Sequence, residues 1–259
     1  MNNNPIGIFD SGIGGTSIVK ELEALMPYED MIYLADSKNA PYGHRASEEI
    51  INLSIKNTEF LLLKDCKLIV VACNTATTNA INILRQTYQV PFIGIEPAIK
   101  PAALNSQTKA VGILATKGTL SSSLFHETTK LHASGITVVE QIGEGLVPLI
   151  EAGKLESEEM TALLKSYIDP MLKADIDYLV LGCTHYPYLI PQLLKLLPQQ
   201  VKIIDSGLAV AKQTHAILEQ HQLKNDASQR GDTTFYTNGD IDVLKSFLGT
   251  SRRMEFKDF

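Results

Sequence analysis

The chain has 259 residues, 44% of them hydrophobic, and a net charge of −6, enough for one large α/β domain or two small ones. The acidic balance without a basic run argues against nucleic acid, no apolar run is long enough to span a bilayer, and the start MNNNPIGIFD is not a signal peptide, so a cytoplasmic protein is expected. Cys66, Cys73 and Cys183 are too few for a disulfide scaffold and fit a reducing compartment, while the absence of Trp removes Trp-lined sugar or cation sites.

Short β-branched runs alternate with amphipathic stretches along the whole chain, and several of the runs end on polar residues. The first predicted strand, 6–9, runs into Asp10 and Ser11. The second, 31–35, reaches Asp36 and then APYG at 40–43. A helical stripe follows at Ile51, Ile55, Thr58 and Leu62. The third strand, 68–72, ends on Cys73, Asn74 and Thr75, and the fourth, 92–95, on Glu96. Strand 111–115 leads to Thr116 and Thr119, and strand 137–141 follows. Met160, Leu163, Leu164, Tyr167, Ile168 and Met171 make a second helical stripe. Strand 178–182 then ends on Cys183, Thr184 and His185, strand 202–204 on Asp205, and 233–237 is the last predicted strand. This alternation predicts parallel sheets with helices on both faces.

The chain parallels itself. KLIVVACNTATTNAI (67–81) matches DYLVLGCTHYPYLIP (177–191), and IGIFDSGIGGTS (6–17) matches VGILATKGTLSS (111–122). Two pseudo-symmetric α/β domains are therefore expected, each bringing one strand-end cysteine to a cleft between them. Gly12, Gly14 and Gly15 suggest a dinucleotide loop with Asp36 as the ribose acid. Ser17, however, takes the place of the third glycine, and Asp10 would set a carboxylate against the pyrophosphate. Helix N-terminal amides at such a loop hold a carboxylate equally well.

A lone cysteine is most often a small buried apolar residue. Cys73 and Cys183 differ from that: both follow strands, both precede hydrogen-bonding residues, and they hold equivalent places in the repeat. Cys66 shares none of this and reads as structural. Inverting a Cα stereocentre needs a proton removed from one face and another delivered to the opposite face, which two opposed thiols do directly, with a base such as His185 helping one to ionise. Glu151, at the end of an apolar run, has nothing local to single it out.

The motifs FDSGIGG (9–15), APYG (40–43), ACNTAT (72–77), ATKGT (115–119) and LGCTHYP (181–187) resemble those of glutamate racemases, in the aspartate/glutamate racemase superfamily, in order and over nearly the whole chain. The resemblance implies α/β domains related by pseudo-twofold symmetry, residues 1–96 with 207–259 forming the first and 97–206 the second. It implies interconversion of L- and D-glutamate without pyridoxal phosphate, metal or nucleotide, supplying peptidoglycan synthesis, in a protein that forms a homodimer. Carried over by motif, Cys73 and Cys183 are the acid/base pair and Asp10, His185 and Glu151 assist them. Ser11, Tyr42, Gly43, Asn74, Thr75, Thr116, Thr119 and Thr184 bind substrate. Alternatives on the same residues are an aspartate racemase, a hydrolase built on Cys183 and His185, and a non-catalytic amino-acid-binding module.

Overall fold

The computed structural model describes residues 3–226 and 228–259. The first sheet is built from β1 (Ile6–Asp10), β2 (Met31–Ala35), β3 (Leu68–Val71) and β4 (Phe92–Gly94), joined late in the chain by β9 (Thr233–Thr237) and β10 (Arg253–Phe256). The second holds β5 (Ala110–Ala115), β6 (Thr137–Ile142), β7 (Tyr178–Gly182) and β8 (Lys202–Ile204). All recorded pairings are parallel.

The strand orders are β10-β9-β2-β1-β3-β4 and β6-β5-β7-β8. The inner part of the first, β2-β1-β3-β4, repeats the connectivity of the second, so β3 and β7 occupy corresponding places. The self-similarity of the sequence is thus a similarity of topology. Every residue of β1 is buried, as a central parallel strand covered on both faces requires.

The helices of the first lobe are α1 (Thr16–Leu25), α2 (Ser47–Leu62), α3 (Asn74–Thr87), α10 (Gly207–Gln220) and α11 (Ile241–Leu248). Those of the second are α4 (Ile99–Asn105), α5 (Lys117–Leu120), α6 (Ser123–His132), α7 (Leu146–Glu151), α8 (Glu158–Lys173) and α9 (Ile190–Leu196). In α8 four of the six stripe residues, Met160, Leu164, Ile168 and Met171, are buried and Leu163 and Tyr167 are half-buried; the hydroxyl of Ser157 caps the helix by accepting from the Met160 N–H at 3.1 Å. The chain passes between lobes next to Glu96, whose carbonyl accepts a hydrogen bond from the Ser206 hydroxyl, so the two connections run side by side.

Two elements differ from the sequence reading. Helix α2 buries Ile50, Ser54, Asn57, Thr58 and Leu61, whereas Ile51, Ile55 and Leu62 are only half-buried. On this rotated face Asn57 points inward and donates to the Tyr42 hydroxyl at 3.2 Å. Strand β10 is a departure from the sequence reading, its four residues RMEF being largely exposed and half of them charged; among the described residues it pairs with β9 at the edge of the sheet. No helix among the described residues is long and apolar enough to cross a membrane.

Candidate active site

Strands β3 and β7 stop just short of the two cysteines. Cys73 becomes the N-cap of α3, its Sγ accepting from the Ala76 N–H at 3.4 Å and donating toward the Ser11 hydroxyl at 3.5 Å. Cys183 follows β7, with its Sγ 3.8 Å from His185 Nδ1. Both thiols line one cavity between the lobes, together with Ser11, Tyr42, Gly43, Asn74, Thr75, Thr116, Thr184 and His185. Pro41 and Val147, which sequence reasoning did not select, complete the lining. The cavity measures about 10 Å³, room for about one water molecule and too little for an amino acid in this conformation.

Three expected site residues stand behind this lining. Thr119 reaches it through a hydroxyl chain, Thr119 to Thr116 at 3.0 Å and Thr116 to Thr75 at 2.9 Å, the second link crossing between the lobes. Asp10 accepts from the Gly15 N–H at 2.6 Å and from the Thr184 hydroxyl at 3.2 Å. Glu151, at the end of α7, lies 2.6 Å from His185 Nε2 and accepts from the Ile13 N–H of the opposite lobe at 2.8 Å.

Tyr42 is fixed by Asp36, whose carboxylate takes its hydroxyl and also accepts from Asn39 at 2.8 Å and Asn238 at 2.5 Å. Asp36 therefore serves the APYG turn, and Asn238 draws the C-terminal segment into its support. The Asn74 amide is buried with neither its oxygen nor its nitrogen partnered. Such groups are costly to leave unsatisfied, and a polar ligand in the cavity would satisfy them.

The electrostatics of the two sides differ. Burial pushes the Asp10 carboxyl up to about 6, against the lowering effects of the His185 charge and the Gly15 N–H. Burial and the neighbouring Asp10 charge drive the Cys73 thiol far above its usual range, outweighing the Ser11 and Ala76 hydrogen bonds. Burial disfavours a charged His185, yet its bonds to Cys183 and Glu151 prevail and hold the ring well above the ordinary histidine value. One thiol thus faces a hydrogen-bonded carboxyl and the other the hydrogen-bonded His185–Glu151 pair. This asymmetric arrangement can donate a proton from one side and accept one on the other.

Cys66 lies apart, at the opposite end of β3, against Gly7 and Leu61. Burial and Asp65 push its thiol up to about 12. Cys66→Ala is therefore expected to leave turnover within about twofold of wild type and to cost roughly 1 kcal/mol of stability, checked by steady-state assay and thermal melting. Loss of turnover in folded Cys66→Ala protein would contradict this ranking of the thiols. Lys117 lines the neighbouring mouth between Gly43 and Gly143 rather than the thiol cavity. No cluster of three or more His, Cys, Asp or Glu side chains placed to hold a metal occurs among the described residues.

Residues 16–214 match the family model Asp/Glu/Hydantoin racemase. A glutamate racemase of Herpetosiphon aurantiacus is 45% identical over 240 residues, covering 93% of this chain and 94% of that protein. Among solved structures, a glutamate racemase isoform of Bacillus anthracis superposes with a TM-score of 0.90 at 29% identity, over 100% of this chain and 98% of its own. The Escherichia coli glutamate racemase, in complex with L-glutamate and the activator UDP-MurNAc-Ala, gives 0.86 at 32% identity over 98% of both chains.

Proposed function

The chain belongs to the Asp/Glu/hydantoin racemase family and is an enzyme interconverting L- and D-glutamate, and we propose that it acts by two-base proton transfer between Cys73 and Cys183. The observation that carries this reading is the convergence of both strand-end thiols on one inter-lobe cavity. In the L-to-D direction Cys183 takes the Cα proton and Cys73 delivers another to the opposite face. In the D-to-L direction the roles exchange. The His185–Glu151 pair compensates charge on Cys183, whereas the Asp10 carboxyl disfavours the thiolate of Cys73 and assists proton transfer there by keeping that thiol protonated as a donor.

Ser11, Tyr42, Gly43, Asn74, Thr75, Thr116, Thr119 and Thr184 form the substrate's polar surroundings, Thr119 through Thr116. Amides and hydroxyls, rather than a cationic clamp, carry the substrate's carboxylates. We take residues 1–96 with 207–259 and residues 97–206 as the two domains, the site closing between them. The reaction needs no pyridoxal phosphate or metal. The enzyme works in the cytoplasm as a homodimer and supplies D-glutamate for peptidoglycan.

Incubation of L-glutamate in deuterated water tests the mechanism. Early in turnover, D-glutamate should carry deuterium at Cα while recovered L-glutamate stays largely unlabelled, and the optical rotation should decay to zero. Equal early labelling of both enantiomers would mean that one base serves both faces.

A further inference from the structure

The loop from Gly12 to Gly15 follows β1 in the first lobe, whereas His185 and Glu151 belong to the second. A Cβ on Gly12 would fall inside the Glu151 carboxylate and 3.1 Å from His185 Nε2. A Cβ on Gly14 would lie 2.6 Å from both His185 Cγ and the His185 backbone nitrogen. Neither glycine has a φ in the left-handed region, so the backbone conformation does not demand glycine at either place. What demands it is the close approach of the other lobe. Between them, the Ile13 N–H donates to the same Glu151 oxygen that faces His185 Nε2.

We infer that this loop is a socket for the His185–Glu151 pair, with Gly12 and Gly14 as positioning residues that let lobe closure complete the base at Cys183. The inference rests on the two-thiol reading above. His185 and Glu151 share a lobe, so their mutual contact survives opening. Opening removes the Ile13 N–H and the bare Cα surfaces that fix where the carboxylate sits. In the closed molecule the imidazole is enclosed by the glycine loop, Glu151 and Cys183, and only 1% of its side-chain surface is exposed. The glycines that suggested a phosphate loop in the sequence therefore serve a protein carboxylate and its histidine.

Racemisation rates alone cannot separate the two faces, because each direction uses both thiols. Elimination from the enantiomers of 3-chloroglutamate separates them. There the Cα proton passes to one thiolate, the C–H electron pair forms the Cα–Cβ double bond, chloride leaves, and the enamine hydrolyses in water to 2-oxoglutarate and ammonia. Gly12→Ala should lower elimination from the L-analogue about 10–100-fold, as expected for a displaced catalytic group, and change the D-analogue by less than about threefold. Adding Glu151→Asp, one methylene shorter, should restore part of the L-side rate lost in Gly12→Ala.

Equal loss on both faces in folded Gly12→Ala protein, or no L-side loss, overturns the inference. If Gly12→Ala does not fold, Glu151→Ala carries the test: the Ile13 amide should exchange faster with solvent and L-side elimination should fall while the D-side persists. An unchanged Ile13 amide, or equal loss on both faces, overturns it. Cys183→Ser serves as the reference. If it keeps L-side elimination, the two-thiol reading itself is wrong and the socket falls with it; if it loses it and Gly12→Ala does not, only the socket is wrong.

Discussion

Cys73→Ser is expected to lower racemisation by about 10²–10⁴-fold while retaining elimination from L-3-chloroglutamate and losing it from the D-enantiomer. Cys183→Ser should give the mirror result. A serine hydroxyl is a far weaker acid than a thiol, so it fails as the abstracting base, each pKa unit costing about 1.36 kcal/mol. It still fills the position from which a proton is donated, and elimination needs only the first transfer. The environments make the asymmetry stronger: Cys73 is buried beside Asp10, whereas Cys183 has His185 3.8 Å away. Rate measurements on both analogues, with circular dichroism to establish folding, decide the matter. If both folded variants retain full racemisation, the thiols are not the bases; if each loses both enantiomers equally, they do not work on separate faces.

Asp10→Asn should show activity and stability moving in opposite directions. Activity falls by about 10²-fold or more if the carboxyl assists proton transfer at Cys73. The stability effect follows from linkage. The folded-state carboxyl titrates near 6, raised chiefly by burial, above its ordinary 3.8. The folded protein therefore binds more protons than the unfolded chain in this window, and stability is lost as pH rises from about 4 through 6. At neutral pH the buried charge costs about 2–3 kcal/mol relative to pH 3. Asparagine carries no such charge and keeps an oxygen for the Gly15 N–H, so the variant should gain stability over wild type at pH 8 and lose that advantage at pH 4. Denaturant unfolding at the two pH values measures this. A variant less stable than wild type at pH 8 would mean that the carboxylate's hydrogen bonds outweigh its desolvation.

Much of this was decided within short stretches of chain. Strands 31–35, 178–182, 202–204 and 233–237 are found where the alternation of β-branched runs placed them: 31–35 and 178–182 are near-continuous apolar runs, as buried parallel strands require, while 202–204 is a partly exposed edge strand and 233–237 carries three threonines. The equivalence of Cys73 and Cys183 was visible as well, since a strand, its terminal cysteine and the following helix occupy one local segment, and the two segments repeat. The DSGIGG loop was legible as a glycine turn before a helix whose amides can hold a carboxylate. The partner that approaches it was not, because the Ile13–Glu151 contact joins residues 138 apart in sequence.

Nothing near Glu151 distinguishes it from a solvated helix end; it meets His185 and the Ile13 N–H only when α7 is packed against the glycine loop. Val147 joins the cavity lining from the same helix for the same reason. Thr119 is set behind Thr116 because its helix directs the hydroxyl to its own N-cap rather than to the cleft. The inward turn of Asn57, the bond from Asn238 to Asp36, and the pairing of β10 likewise depend on segments brought together by packing. Periodicity and turn chemistry act over a few residues, so they fix elements and the groups at their ends. Which groups face one another across the cleft is settled by long-range burial, where two lobes share a surface that neither sequence segment encodes alone.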